Sequence, residues 1–450
     1  TSMKIVIAGA GEVGTHLANK LSAEEQQDIT LMDPDPKRLS GLSNSAELLA
    51  VVGDPTDAHD LRDCNVQHAD LFISVMPDEP TNILACTLAA SIGAPETIAR
   101  VSNHRYLAPE YTRFFEGLGV TSLIYPEELA AEEINITFQN PWARQYIELF
   151  NGNIVLLGVK VRNGSELVGK KLIELPHVER KKFHVVAIKR GTETIIPSGQ
   201  TSIEHGDIVF FTAIGSDIDE VRQLAGKKKV EVKRVVVMGA SSIAMRTIAK
   251  ASRSIEFILF EKEKRRIEEI RDKLPSNVTL YHGDGRDPAL LEEVGIRNAQ
   301  VFMALTENSE TNVLACLAAK RYEVFKTIAK EENIDYIPLA ERLDIGTIIN
   351  KKLIAAGYIY RSLLGQDTST VKCLTIANAD VAEIVARRGS PITGRPVKDL
   401  ALPKGITLGG MVRNGVPHMI DGNTIIEPYD LVVVFCYELA IDKVKALFEE

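Results

Sequence analysis

The sequence has 450 residues, which at roughly 100–200 residues per domain favours two to four domains over one. Its 45% hydrophobic and 25% charged residues are typical of globular domains and exclude a collagen-like, coiled-coil or disordered chain. The 52 basic and 61 acidic residues leave a net charge of −9, so the protein has no overall attraction to nucleic acid or to anionic lipid.

The chain begins with a predicted strand, a glycine-rich turn and a helix. The strand KIVIA is followed by Gly9-Ala10-Gly11-Glu12-Val13-Gly14, and Leu17 and Leu21 continue a helix at helical spacing. In such a turn the first glycine allows the tight bend, the second leaves room for a pyrophosphate, and the third lets helix and strand pack closely. The helix N-terminus offers unpaired N–H groups to the anion. The turn therefore predicts a dinucleotide site.

Further candidate site residues follow the next predicted strands. Asp33 ends DITLMD, where a carboxylate can accept hydrogen bonds from ribose hydroxyls and repels a 2′-phosphate, so NAD or an adenosine nucleotide is favoured over NADP. Asp54, Met76 and Pro77 also follow strands, at the sheet edge where open α/β sheets bind ligands. Arg100 ends ETIARV, where it either reaches a phosphate or is a solvated surface arginine.

This half of the chain contains two different sequence patterns, one after the other. Over residues 3–122 short β-branched runs alternate with helical stretches, which predicts a Rossmann-like, doubly wound parallel sheet of the α/β class. Over residues 143–226 alternating strands such as FHVVAIKR are separated by glycine-bearing turns, which predicts a small α+β domain built on hairpins. The connector GKKKVEVKR, from Gly226 to Arg234, contains four lysines that we interpret as solvating a linker.

The second half of the chain repeats the first. KIVIAGAGEVG at Lys4 returns as RVVVMGASSIA at Arg234, a shift of 230 positions, and the two TN-x-LAC runs keep that shift, so Asn82 corresponds to Asn312. A tandem duplication is therefore predicted. Its second Rossmann-like domain covers residues 234–350, and its second small α+β domain covers residues 368–450.

The second glycine turn is altered. Gly239 is kept, but Ser241 and Ala244 replace the second and third glycines, and the Cβ of Ser241 intrudes where a pyrophosphate approaches the backbone. The acidic residue survives as Glu261, which could still contact one adenosine moiety weakly. We expect this second site to be empty or altered.

The sequence offers no recognisable catalytic or metal-binding constellation. The nine histidines do not cluster, the five cysteines form no CxxC pair, and there is no nucleophile elbow or HExxH motif. No apolar run reaches the ~20 residues of a membrane-spanning helix. These features favour a protein that senses a nucleotide without transforming it. An NAD-dependent oxidoreductase and a free-standing nucleotide-sensing assembly protein remain open as alternatives.

Taken together, the GAGEVG turn with Asp33, the DEPTNILAC run before IARV and the ending PSGQTSIEHGDIVFF resemble the RCK (KTN) family of cytoplasmic regulators of potassium channels and transporters. The resemblance implies that NAD(H), or ATP or ADP at the same site, is held by residues Gly9 to Val13, Asp33, Asp54, Met76, Pro77 and Arg100. It also implies self-association into a ring, as a dimer or tetramer, docked on the inner face of the cell membrane beneath an integral potassium-translocating subunit.

Overall fold

The computed structural model describes residues 3–22, 27–40, 42, 48–175, 182–363, 368–374, 378–437 and 440–449. These residues form two six-stranded and two five-stranded sheets. The chain divides into two units, one comprising Thr1–Leu129 and Lys351–Leu363, the other Ala130–Asn350 and Leu364–Glu450. Within the described ranges, no helix is both long and apolar enough to span a bilayer.

The first Rossmann-like domain alternates strands and helices: β1 (Met3–Ala8), α1 (Glu12–Ser22), β2 (Gln27–Asp33), α2 (Pro36–Leu39), β3 (Leu48–Val52), α3 (Ala58–Asp63), β4 (Leu71–Ser74), α4 (Glu79–Ile92), β5 (Glu96–Arg100), α5 (Pro109–Gly117), β6 (Ser122–Ile124) and α6 (Pro126–Gln139). All six strands pair in parallel in the order β3-β2-β1-β4-β5-β6. The strand order reverses between β1 and β4, and open α/β sheets bind ligands at such a switch point.

The first small domain contains β7 (Gln145–Leu149), β8 (Ile154–Lys160), β9 (Phe183–Arg190), β10 (Glu193–Ile195), β11 (Ile208–Ile214) and α7 (Ile218–Leu224). Its strands form an antiparallel sheet in the order β10-β9-β11-β8-β7. The turn between β9 and β10 contains Gly191 with φ of 60°, a backbone conformation that favours glycine.

The second Rossmann-like domain repeats the first, with β12 (Arg234–Met238), α8 (Ser242–Lys250), β13 (Glu256–Glu261), α9 (Lys264–Ile270), β14 (Val278–His282), α10 (Pro288–Glu293), β15 (Val301–Ala304), α11 (Ser309–Lys320), β16 (Lys326–Lys330), α12 (Ile337–Arg342), β17 (Thr347–Ile349) and α13 (Lys351–Leu363). Its parallel order, β14-β13-β12-β15-β16-β17, is the order of the first sheet.

The second small domain contains β18 (Thr368–Leu374), β19 (Ala379–Val385), β20 (Ile406–Arg413), β21 (Val416–His418), β22 (Leu431–Tyr437) and α14 (Ile441–Phe448), in the strand order β18-β19-β22-β20-β21. This order corresponds strand by strand to that of the first small domain. The predicted fold class, two Rossmann-like parallel sheets each followed by a small α+β domain in tandem, is confirmed. Glu450, the last residue of the predicted fourth domain, lies outside the described residues.

The two small domains pack their sheets face to face. Phe210 of the first and Phe435 of the second are buried in one hydrophobic core, with ring centroids 6.4 Å apart. Thr212 also donates a hydrogen bond of 2.6 Å to the carbonyl of Gly409. The other face of the first small sheet packs in a separate core with Trp142 and Leu224. Both faces of this sheet are thus covered by apolar contacts.

Each Rossmann-like domain packs against a helix that, in the sequence, comes directly after the other Rossmann-like domain. In the first unit, α13 packs on α1, and the Lys20 ammonium lies 4.6 Å from the ring centroid of the buried Tyr360. In the second unit, Asn135 of α6 donates a hydrogen bond to the carbonyl of Thr247, and Phe138 lies against Phe257. The sequence patterns did not anticipate this exchange of helices.

Candidate nucleotide-binding site

The glycine turn between β1 and α1 has a distinct requirement at each glycine. Gly9 has φ of 109°, and a Cβ there would come within 3.0 Å of the Val75 backbone. A Cβ at Gly14 would lie 1.8 Å from the carbonyl oxygen of Gly9, so only glycine lets helix and strand approach this closely. At Gly11 a Cβ would meet no atom within 4 Å. The fold thus requires Gly9 and Gly14, whereas Gly11 leaves open space at the start of α1.

Asp33 holds the glycine turn from the end of β2. Its side chain is 1% exposed, and its two carboxylate oxygens accept hydrogen bonds from the backbone N–H groups of Ala10, at 2.7 Å, and Asp35, at 2.8 Å. A carboxylate has about four acceptor positions, so these two bonds leave capacity for a further donor. The contact with a ribose stays a prediction, and Asp33 has in addition a structural role that the sequence did not reveal.

Asp54 lies next along the same edge, beyond the end of β3. The backbone N–H of Gly53 donates to the Asp33 carbonyl at 3.1 Å, which brings the two acidic residues to neighbouring strand ends. The Asp54 carboxylate is exposed and accepts two hydrogen bonds from Thr56, through the backbone N–H and the hydroxyl. Asp54 is therefore fixed in position at the sheet edge with solvent access.

Asn82 connects the remaining predicted residues. It is buried in α4, and its amide oxygen accepts hydrogen bonds from the Ser74 hydroxyl and the Met76 N–H, at 2.7 and 2.8 Å. Its amide nitrogen donates to the carbonyls of Met76 and Arg100, at 2.8 and 3.0 Å. One side chain thus fixes the Met76–Pro77 turn and the end of β5 together. In the sequence, Asn82 was recognisable only as a marker of the repeat.

Arg100 and the first turn of α1 supply charge at this site. Arg100 is half-buried, and its guanidinium makes no hydrogen bond or ion pair within the described part of the chain, so the cation is available to an anion. Glu12 forms an ion pair with Lys352 of α13, and burial lowers the pKa of this lysine. Val13, which follows Glu12 in the chain, is buried in the domain core. No sequence motif indicated Lys352, which is 340 positions away from Glu12.

The second Rossmann-like domain has a cavity of about 520 Å³ at the corresponding strand ends. Gly239 keeps the positive φ of the first glycine, at 94°. Ser241 is the N-cap of α8, and its hydroxyl accepts a hydrogen bond from the Ala244 N–H. Glu261 repeats the contacts of Asp33, accepting from the N–H groups of Ala240 and Glu263. The turn is preserved, while one of its N–H groups is already bonded.

Two cations near the strand ends of the second Rossmann-like domain, Arg286 in the cavity and Lys330 at the end of β16, are paired within the protein. Arg286 forms two hydrogen bonds with Asp284, the counterpart of Asp54, and this arginine lowers the pKa of Asp284 to about 2. Lys330, the counterpart of Arg100, is 1% exposed and pairs with Glu307 at 2.9 Å and Glu332 at 3.2 Å. The electrostatic environment thus differs between the two copies although their strand order is the same.

Neither a metal cluster nor a reactive pair of thiols marks the residues that the structure describes. No group of three or more metal-ligating side chains occurs among the described residues. Burial raises the pKa of Cys86 and of Cys316 to about 12, which keeps both thiols protonated. The arrangement presents the glycine turn at the start of α1, the Asp33 carboxylate and the Arg100 guanidinium at the carboxyl ends of strands of one sheet, the edge at which open α/β sheets bind ligands.

Known proteins share this organisation over the whole chain. The TrkA-N domain model matches residues 5–126 and 235–351, and the TrkA-C domain model matches residues 156–226 and 381–449. The chain is 31% identical to the Trk system potassium uptake protein TrkA of Halomonas elongata, covering 99% of both chains. It is similar in fold to the GsuK RCK domain, with a TM-score of 0.60 and 15% identity over 99% of this chain and 95% of that chain. For the GsuK channel bound to NAD the TM-score is 0.59 and the identity 16%, over 100% of this chain and 79% of that chain.

Proposed function

The chain belongs to the family of Trk system potassium uptake proteins TrkA, and on that premise we propose that it is the nucleotide-binding regulatory subunit of a bacterial potassium uptake system. It acts without catalysis. Binding of NAD(H), ATP or ADP to the first Rossmann-like domain changes the conformation of a ring of these chains. The ring gates an integral potassium-translocating subunit of the TrkH/TrkG type at the inner, cytoplasmic face of the membrane.

One observation supports nucleotide binding above all: the open glycine turn lies at the β1–β4 switch point, with Asp33 bonded to it. The space beside Gly11 suits a pyrophosphate approaching the N–H groups at the start of α1. Asp33 lies on the ribose side and Arg100 at the end of β5 on the other. NAD(H), ATP and ADP share an adenosine and differ at the phosphates, so we assign the discrimination between them to Arg100.

Regulation requires that the nucleotide bind two conformations of the ring with different affinity. Each difference of about 1.4 kcal/mol shifts their ratio tenfold. Arg100 is a suitable sensor because its guanidinium has no partner among the described residues until a phosphate arrives. In the second copy Lys330 is paired with Glu307 and Glu332, so we expect the second site to bind a dinucleotide more weakly than the first.

The first test is calorimetric titration of the full chain with NADH, ADP and ATP. Gly11→Asp places a side chain and a negative charge in the open space, and we expect it to weaken binding at the first site about tenfold or more. Gly117→Asp is the matched control, because Gly117 also has open space around its Cβ position but ends α5, remote in sequence from the turn. Unchanged affinity in Gly11→Asp would contradict the assignment.

A second test separates regulation from the two alternatives. Proteoliposomes containing the integral potassium subunit should take up potassium at a rate that depends on this chain and on the nucleotide. An oxidoreductase would instead consume NADH when a metabolite panel is added to the purified chain. A free-standing sensor would fail to co-purify with the membrane subunit. Either result would replace the regulatory proposal.

A further inference from the structure

A basic cavity lies in the second unit, between the first small domain and the second Rossmann-like sheet. We call it the junction cavity, and its volume is about 330 Å³. Its walls come from residues 141–144, the end of β8, the turn at 162–165, the connector at 225–228, and the starts of β16 and β17. Parallel sheets of this class bind nucleotides at the opposite, carboxyl ends of their strands, so the junction cavity is separate from the site described above.

Its lining is strongly cationic. Seven basic side chains contribute to it: Arg144, Lys160, Arg162, Lys227, Lys228, Lys320 and Lys326. Asp344 forms ion pairs with three of them, namely Arg144, Arg162 and Lys320. The ammonium groups of Lys160, Lys227 and Lys228 have no hydrogen bond or ion pair with any residue that the structure describes. The protein therefore gathers more positive charge here than it neutralises.

The connector contributes to the cavity in a way that its composition did not suggest. Lys227 is half-buried, and the connector is anchored at Lys227 by hydrogen bonds in both directions with Arg222, of 3.0 and 2.6 Å. Lys229, two residues on, is exposed and does not line the cavity. The interpretation of all four connector lysines as linker solvation is therefore wrong for Lys227.

Like charges held together with little solvent raise the free energy of the charged forms. Burial and the neighbouring arginines lower the pKa of Lys227 to about 8, and burial also lowers the pKa of Lys160. Lys326 is 6% exposed and donates a hydrogen bond of 2.6 Å to the Ala143 carbonyl. A bound anion would relieve this repulsion and pair with ammonium groups that now lack a partner.

We propose that the junction cavity binds one small soluble anion carrying two or more phosphate-type charges, with diphosphate as its simplest example. The volume is at the lower end of the range for ligand pockets, which suits a diphosphate or a small phosphate ester. Such an anion would contact Lys160 and Arg162 from the first small domain, Lys227 from the connector, and Lys320 from the second Rossmann-like domain. Its binding therefore stabilises the junction between these two domains.

A soluble ligand fits this cavity better than a membrane surface or a nucleic acid. The cations lie around a recess between two domains, whereas lipid headgroups and a duplex require an exposed basic face. The net charge of −9 gives the remaining surface no attraction to either. Because the basic groups are confined to this recess, the ligand that they recognise is one small enough to enter it.

The test is titration of the full chain with sodium diphosphate. Binding is measured by calorimetry and by the midpoint temperature of thermal unfolding. We expect one diphosphate per chain at the junction cavity and a raised midpoint. The double variant Lys160→Gln/Lys227→Gln should weaken this binding about tenfold or more, because two unpaired cations are removed. Lys229→Gln is the matched control on the same connector and should bind as the unmodified chain does.

Two further variants keep the two sites distinguishable. Gly11→Asp and Arg286→Gln alter the first and second Rossmann-like sites, and diphosphate binding at the junction cavity should survive in both. Loss of diphosphate binding in either variant, or equal affinity in Lys160→Gln/Lys227→Gln, would overturn the proposal. If the protein floats with phosphatidylglycerol vesicles and binds no diphosphate, the proposal is overturned in favour of a membrane contact. None of these results depends on NADH binding, which is measured separately.

Discussion

Asn82 joins two strand ends of the candidate nucleotide site, those of β4 and β5, through one amide group. Its four hydrogen bonds reach the Ser74 hydroxyl, both backbone groups of Met76 and the carbonyl of Arg100. Asn312 makes the equivalent contacts in the second copy, with Thr306 and the carbonyl of Lys330. The same residue thus organises both sites, while only the first retains an arginine free of internal pairing at the strand end.

We expect Asn82→Ala to weaken NADH binding and to lower the free energy of unfolding by about 1–3 kcal/mol, because buried donors and acceptors are left without a partner. Asn312→Ala is the matched control: it should cause a similar loss of stability but leave NADH affinity at the first site unchanged. Titration calorimetry and urea denaturation of both variants measure the two effects. Equal loss of affinity in both variants would show that the amide acts through general stability.

Single residues differed in how far the sequence could predict them. Gly9 and Gly14 were predictable because their spacing reflects steric limits of a tight strand–helix turn, whereas the role of Gly11 depends on a ligand and stays a prediction. Asn82 was not, because a polar residue inside a helix gives no indication of the strand ends it faces, and only its recurrence as Asn312 carried a signal. Lys352 gave none, since its position beside Glu12 depends on the packing of a distant helix.

At the scale of elements, each small domain contains an ion pair between a partly exposed arginine and a buried aspartate. Arg190, at the end of β9, forms two hydrogen bonds with Asp207, which is 1% exposed and precedes β11. Arg413 and Asp430 repeat this arrangement in the second small domain. Both hydrogen bonds raise the pKa of Arg190. The aspartate before the last strand, which follows Gly206 in the first copy and Tyr429 in the second, is therefore structural in both.

We expect Asp207→Asn to destabilise the first small domain by about 1–3 kcal/mol, because the buried carboxylate accepts hydrogen bonds from Arg190 and from the Glu204 N–H that an amide replaces only in part, while Arg190 keeps its second ion pair with Glu204. Asp219→Asn is the control, since the exposed Asp219 pairs with Arg222 at the surface and should change stability by about 0.5 kcal/mol or less. The single tryptophan, Trp142, lies in the core of this domain, so its fluorescence during urea denaturation reports this transition directly. Equal midpoints for the two variants would contradict the prediction.

The strands and helices themselves were largely predictable from the sequence. The exchange of α6 and α13 between the two Rossmann-like domains was not. Alternation of β-branched runs with helical stretches indicates a parallel sheet, since both faces of such a sheet are covered. The duplication then predicts the second sheet from the first. The packing of α13 on α1 depends on contacts such as Lys20 with Tyr360, which join apolar faces far apart in the chain and leave no periodic signal.

At the scale of the whole molecule, the junction cavity makes the stability of the second unit depend on pH. Burial, together with the nearby Arg144, lowers the pKa of Lys326 to about 7. Arg144 is in turn paired with Asp344, which also pairs with Lys320 and Arg162. In the unfolded chain Lys326 returns to its ordinary pKa of about 10.4. Between these two values the unfolded state binds more protons than the folded state.

The free energy of unfolding therefore increases as pH rises from about 7 towards 10, by at most about 1.4 kcal/mol per pH unit for one such lysine. Lys326→Met keeps the apolar stem and removes the titrating group, so we expect a smaller slope of stability against pH, with the largest gain in stability at or below pH 7. Lys229→Met, at an exposed connector position, should leave the slope unchanged. Urea denaturation followed by the fluorescence of Trp142, which lines the same cavity, measures the slope at several pH values. An identical slope in Lys326→Met and the unmodified chain would contradict this prediction. It would mean that Lys326 stays charged in the folded protein and adds its positive charge to the junction cavity.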